Sequence, residues 1–283
     1  MALLCLALPV RSETLYATDG SSIFTFDSAT PGTTFGVSFS NLQGGETIVG
    51  IDLRPSNLLI YGVGTSNQVY TINPVSGFAT PVGAAGSFSL SGTSFGMDFN
   101  PQPDRIRLVS NAEQNLRLHP DTGQLVLADS ALNPPGNVVA AAYDRNDNDN
   151  GTLTTLFGVD SASGNLIRIG DVDGTPNSPN TGIINTIGSL TLGTNLNPNI
   201  GMDISGLTGI AYATVTTGAA APNSRLYSIN LLTGLATDLG AIGNGLTPML
   251  GITAAAIPEP GTYALLGVGA LLLGAYRKLR RRS

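Results

Sequence analysis

Residues 94–129 read SFGMDFNPQPDRIRLVSNAEQNLRLHPDTGQLVLAD, and this stretch decides the fold because its pattern returns three more times. It holds an apolar strand, a turn, a second strand, a loop, a third strand that alternates in and out, and a turn that ends in Gly. The same order occurs at 47–83 (TIVGIDLRPSNLLIYGVGTSNQVYTINPVSGFATPVG), at 138–174 (VVAAAYDRNDNDNGTLTTLFGVDSASGNLIRIGDVDG) and at 199–234 (NIGMDISGLTGIAYATVTTGAAAPNSRLYSINLLTG). Superposing the four segments sets Asp52, Asp98, Tyr143 and Asp203 at one anchor position, with spacings of 46, 45 and 60 residues. Repeats of roughly 40–50 residues built from short strands are the signature of propeller blades.

The ends of the body supply a fifth unit. TLYATDGSSIFTFDSATPG (14–32) matches the second and third strands of a repeat with no first strand before it. MLGITAA (Met249–Ala255) matches a first strand with nothing after it, Thr253 falling 50 residues after Asp203. Pairing the two fragments closes a ring and removes the sheet edges that invite aggregation. The expected fold is therefore all-β, a five-bladed β-propeller whose first blade joins Met249–Ala255 to Leu15 through about Asn41. Six or seven blades would need repeats of about 40 or 34 residues, which the spacings do not support. The rival architecture is an irregular β-sandwich.

Composition agrees, since 36 Gly and 17 Pro with no Trp suit short strands and tight turns. The third strands run out at Gly77, Gly123, Gly174 and Gly234, where φ > 0 closes a hairpin at little steric cost. Four residues before each stand Asn73, His119, Gly170 and Asn230. His119, the only histidine, thus occupies a turn position and is expected to be structural. With it go the Ser-His-Asp triad and the multi-His zinc site. The single Cys5 lies near the N-terminus, which leaves the body without a disulfide, a thiolate metal site or a thiol nucleophile.

Charge narrows the partners. Residues 13–256 contain seven Arg, no Lys and eighteen Asp plus Glu, a balance of 7 − 18 = −11. Such a body repels nucleic acid and anionic lipid, and it favours cations or neutral partners such as extracellular polysaccharide.

Carboxylate chemistry is what remains. The first strand of each blade lines the central channel, so Asp52, Asp98 and Asp203 are expected to converge there, with Tyr143 and Thr253 at the other two places. Two readings stand side by side: an axial cation site, for which hard oxygen ligands suit Ca²⁺, or aspartates that hydrogen-bond the neighbouring blade's backbone and serve only the fold. The loop DRNDNDNG (144–151) offers Asp144, Asp147 and Asp149 as a second candidate calcium site. Its spacing departs from the calcium-loop pattern, with Asn at positions one, three and five and Phe157 at twelve. The alternative there is a solvated hairpin loop. The stretch Asp171–Asn199 accounts for the longest spacing and is read as extra loop on one face, a place for binding specificity or for drift.

The last 27 residues, IPEPGTYALLGVGALLLGAYRKLRRRS (257–283), carry Pro258, Glu259 and Pro260, then an apolar run over 263–276, then Arg277, Lys278, Arg280, Arg281 and Arg282. Fourteen residues make about 21 Å of helix, short for a comfortable transmembrane span, and the basic cluster fixes that end on the cytoplasmic side. Breaker, membrane segment and basic anchor in this order resemble the PEP-CTERM sorting signal, which an exosortase reads and cleaves in Gram-negative bacteria. The resemblance implies export through an inner-membrane intermediate to the cell surface or the extracellular matrix. The N-terminus, ALLCLALPV, agrees as a short apolar signal-peptide segment over 1–12 that lacks a basic n-region, so a truncated start is expected. The domain expectation is a signal segment 1–12, a propeller 13–256, and a sorting signal 257–283 with a short membrane helix.

Within the body, FGMDFNPQPDRIRLVS, NAEQNLRLHPDTG and TTLFGVDSASGNL resemble a bacterial exported domain of unknown function over nearly all of 14–255. That resemblance implies a repetitive β-rich exported domain and transfers no activity and no catalytic residues, while the residues themselves offer no cofactor beyond the candidate Ca²⁺. The functional expectation is a non-enzymatic binding or structural module. The alternative is a calcium-dependent hydrolase or lactonase-like propeller that uses the axial aspartates.

Overall fold

The computed structural model describes residues 12–147, 149, 151–217 and 223–255. Within them the chain forms five four-stranded antiparallel sheets arranged as blades around an axis. Blade 1 contains β1 (Thr14–Thr18), β2 (Ser22–Asp27) and β3 (Thr34–Ser38). Blade 2 contains β4 (Ile48–Leu53), β5 (Ile60–Gly64), β6 (Gln68–Ile72) and β7 (Ala79–Val82). Blade 3 contains β8 (Phe95–Asn100), β9 (Arg105–Ser110), β10 (Asn115–Leu118) and β11 (Leu125–Ala128). Blade 4 contains β12 (Val138–Tyr143), β13 (Leu156–Asp160), β14 (Asn165–Ile169) and β15 (Ile184–Ser189). Blade 5 contains β16 (Ile200–Ile204), β17 (Ala211–Thr217), β18 (Asn223–Ile229) and β19 (Ala236–Ala241). The last strand, β20 (Gly251–Ala254), is the inner strand of blade 1.

Ring closure is the pairing of β20 with β1, in the register Leu15↔Ala254, Tyr16↔Thr253, Ala17↔Ile252 and Thr18↔Gly251. It follows from the complementary fragments at the two ends of the body, and it gives blade 1 the same four strands as the other blades.

The core lies between blades. One apolar cluster joins blades 2 and 3 through Val63, Val69, Phe99, Ile106 and Leu108, and another joins blades 4 and 5 through Val159, Leu166, Met202 and Val215. Three further clusters fill the remaining joints. An inner strand therefore has a blade on each side, and β4, β12 and β16 are buried at every residue. Such strands read as continuous apolar runs, whereas the outer β11 is exposed throughout.

Turn chemistry repeats as expected in three blades. The N–H of Gly77 donates to Asn73 O, that of Gly123 to His119 O and that of Gly234 to Asn230 O, each glycine having φ between 66° and 83°. Blade 4 corrects the fourth case. There Gly170 N–H donates to Ile183 O and Gly174 N–H to Asp171 O, because residues 170–183 form an excursion between β14 and β15. The stretch 171–199 is also not all loop, since it contains β15, the blade's outer strand.

Candidate functional site

Four inner strands carry a glycine two residues before the axial position, at Gly50, Gly96, Gly201 and Gly251, ahead of Asp52, Asp98, Asp203 and Thr253. The glycines let neighbouring backbones approach. A Cβ on Gly96 would lie 2.4 Å from Ala140 C, and one on Gly201 would lie 2.6 Å from Gly251 C.

That approach sets up a relay of hydrogen bonds from blade to blade. Phe99 N–H donates to Asp52 Oδ2 at 2.7 Å, Tyr143 N–H to Asp98 Oδ2 at 2.8 Å, and Ala254 N–H to Asp203 Oδ2 at 2.6 Å. Leu53 N–H donates to Thr253 Oγ1 at 3.0 Å, and the Thr253 hydroxyl donates to Asp52 Oδ1 at 2.9 Å. Each of the four amide donors is the residue after the next blade's axial position. By that rule the fourth axial residue is Ala142, and the placement of Tyr143 at the axis is corrected by one residue. Tyr143 contributes its amide to the relay, while its hydroxyl accepts from Arg107 Nε at 3.2 Å. Ala142 has no side-chain acceptor, so the relay is broken at blade 4.

The three aspartates do converge, and one oxygen from each lies within 4.8 Å of the others. All three side chains are buried. Asp98 Oδ1 and Asp203 Oδ1 are buried without a hydrogen-bond partner, as are both carboxylate oxygens of Glu13. Burial pushes the Asp203 carboxyl up to about 6. Burial and the charge of Asp203 push Asp52 well above the ordinary carboxylate range, and burial with the charges of Asp52 and Asp203 does the same to Asp98.

No arginine relieves them. Arg54, two residues beyond Asp52, is forked onto Asp104 and Asp121, at 2.5 Å in each case, and also donates to Tyr61 Oη. The other six arginines of the body go to Asp129, Asp144, Asp173, Asp171, Asp238 and, for Arg105, to the backbone oxygens of Pro103 and Asp104. The axis is thus a buried acidic hub without a compensating arginine, which stitches blades together through one oxygen each of Asp98 and Asp203 and both oxygens of Asp52. Chemically it offers hard oxygen acceptors to a small cation or a shared proton.

The second candidate calcium site does not assemble among the described residues. Asp144 accepts from Thr155 N–H and pairs with Arg145, Asp147 caps Asp149 N–H, and Asp149 caps Gly151 N–H. These are local turn contacts that hold a hairpin loop. Residues 256–283, with the whole sorting signal and its expected helix, lie outside the described residues, as do 1–11 of the expected signal segment. Among the described residues no helix is long and apolar enough to cross a membrane.

Arg107 is a buried anchor beside the candidate cleft that sequence reading missed. It is the largest fully buried side chain, and it donates to Asn115 Oδ1, Asp129 Oδ2, Tyr143 Oη and Asn180 Oδ1. It thereby ties blades 3 and 4 to the excursion at 170–183. The signal was an arginine at an inward position of RIRLVS, where an unpaired charge cannot remain. Beside it opens a cleft of about 300 Å³ walled by Asn100, Gln102, Arg105, Thr154, Asp173 and Asn180.

The sequence matches the family described as Domain of unknown function (DUF4394) over residues 22–253, and the PEP-CTERM protein-sorting motif over 256–282. No curated protein matches the chain. Among solved structures, a chain of a nidogen/laminin complex aligns with 12% identity and a TM-score of 0.48, covering 87% of this chain and 98% of its own. A 6-phosphogluconolactonase homologue from Bacteroides uniformis aligns with 13% identity and a TM-score of 0.41, covering 82% and 83%. PorZ, a surface component of the type-IX secretion system of Porphyromonas gingivalis, aligns with 14% identity and a TM-score of 0.39, covering 82% and 30%. Nothing of those proteins' roles passes to this chain at such levels of likeness. The chain belongs to the DUF4394 family, in which it is a five-bladed β-propeller followed by a PEP-CTERM sorting motif.

Proposed function

We propose that this propeller works outside the cytoplasm as a non-enzymatic module that binds a surface or matrix component, with extracellular polysaccharide as the partner class. The sorting motif implies an exported protein recognised by exosortase and processed at the membrane in Gram-negative bacteria. The last strand of the ring ends at Ala254 and the motif begins at 256, so cleavage there leaves a closed propeller.

The observation that carries the non-enzymatic reading is the commitment of the axial carboxylates. Each is buried and holds an amide of the next blade, so none is presented to a substrate as a free general acid or base. The acidic body favours a neutral partner over an anionic one. The polar cleft beside Arg107 supplies amide and hydroxyl groups suited to sugar hydroxyls.

A glycan array probed with the domain from Glu13 to Ala256, with and without calcium, tests this. Binding to a defined glycan supports the reading. Turnover of lactone or phosphoester substrates that disappears in Asp98→Asn would overturn it in favour of a hydrolase.

A further inference from the structure

Three carboxylates at one point of a protein core pose a problem of charge. Removing a carboxylate from water is costly unless an opposite charge or several hydrogen bonds replace the solvent. Asp52 has a partner on each oxygen, the Phe99 amide and the Thr253 hydroxyl, but Asp98 Oδ1 and Asp203 Oδ1 have none. Every arginine of the body is engaged elsewhere, and the body has no lysine. Both carboxylate oxygens of Glu13 are also buried without a hydrogen-bond partner. Among the described residues the protein supplies no cation for this hub.

We propose that Asp52, Asp98 and Asp203 hold one Ca²⁺ at the propeller axis, as a structural ion that locks the ring closed. One oxygen from each of the three aspartates lies within 4.8 Å of the others, close enough for all three to share one ion. Ca²⁺ suits such a site better than Mg²⁺, because it accepts irregular oxygen arrangements whereas Mg²⁺ demands a near-ideal octahedron and dehydrates reluctantly. Asp98 Oδ1 and Asp203 Oδ1 are free to ligate while their Oδ2 atoms keep their amide bonds. Asp52 Oδ1, which already accepts from Thr253, faces the closing strand β20.

The ion would thus clamp blades 2, 3 and 5, and Asp203 and Asp52 flank blade 1, whose inner strand comes from the other end of the chain. This is independent of the binding role proposed above, because the ion is buried and touches no partner. The full chain, purified in detergent and stripped with EDTA, should take up one Ca²⁺ per chain by calorimetry and melt at a higher temperature once loaded. Mg²⁺ should produce at least tenfold weaker binding.

Asp98→Asn keeps an oxygen for the Tyr143 amide but loses the charge, and its Ca²⁺ affinity should fall tenfold or more. In EDTA that variant should melt no lower than the wild type, which separates a lost ligand from a lost fold. Asp147→Asn, in the hairpin loop, should bind as the wild type does. The proposal is overturned by an absence of Ca²⁺ uptake, by equal affinity for Mg²⁺, by uptake unchanged in Asp98→Asn, or by uptake that is lost in Asp147→Asn.

Discussion

The hydroxyl of Thr253 donates to Asp52 Oδ1 at 2.9 Å although the two residues are 201 positions apart in the chain. With Leu53 N–H donating to the same hydroxyl, this pair fastens the last strand of the propeller to the first complete blade. The ring is therefore closed at the axis by side-chain chemistry as well as by the β20–β1 ladder at its side.

Thr253→Val, which keeps the shape and removes both hydrogen bonds, should lower stability by about 1–3 kcal/mol because a buried amide and a buried carboxylate oxygen lose their partner. Thr253→Ser keeps the hydroxyl and should cost under about 1 kcal/mol. Thermal melts followed by circular dichroism distinguish the two, at roughly 2–4 °C per kcal/mol for a domain of this size.

Stability without metal should fall as pH rises. The axial carboxyls are raised by burial and mutual charge, so above the ordinary carboxylate range the folded state holds protons that the unfolded state has released. The stabilisation is complete below about pH 4. It is lost as pH rises to about 6 through Asp203, and also through Asp52 and Asp98 as they release their own raised protons. Asp203 alone contributes on the order of 2–3 kcal/mol. Asp121 is lowered by Arg54 and acts in the opposite sense, but it is mostly exposed and screened. In EDTA the melting temperature should be higher at pH 5 than at pH 8, and a flat profile would contradict the electrostatics described.

Gly96→Ala should prevent ring assembly or cost several kcal/mol, since its Cβ would lie 2.4 Å from Ala140 C and 2.5 Å from Ala141 N, both backbone atoms that cannot turn aside. Gly44→Ala meets nothing within 4 Å and should stay within about 0.5 kcal/mol of the parent. Soluble yield and denaturant midpoints provide the comparison.

Arg107→Leu should destabilise by about 3–5 kcal/mol, because Asp129, Asn115 and Asn180 keep their buried polar atoms while losing the guanidinium between them. The excursion at 170–183 loses its anchor at Asn180 in the same change. Limited proteolysis should then cut first near residues 175–182 in Arg107→Leu and not in the parent protein.

The repeat order, the blade number and the joining of the two ends were legible from sequence because each depends on local patterning. Continuous apolar runs mark strands with a blade on both sides, and Asn73-to-Gly77 or Asn230-to-Gly234 marks a turn whose φ only glycine adopts cheaply. The three axial aspartates were legible for the same reason. Tyr143 misled because the true axial residue, Ala142, has no polar group, and the eye settles on the nearest one that does. The excursion in blade 4 hid β15 because Gly, Asn, Thr and Pro mask a short outer strand that needs little apolar content.

By itself, then, the sequence determined a five-bladed ring with aspartates at its axis, an acidic body and a C-terminal sorting signal. Only the tertiary structure decided which aspartate oxygens hold a neighbouring blade, that one oxygen each of Asp98 and Asp203 is left over, and that Arg107 lies at the joint of blades 3 and 4. Those outcomes depend on distances of a few ångströms between residues that are 45 to 201 positions apart, and chain order does not encode such distances. The excess of buried negative charge at the axis exists only once the blades meet there.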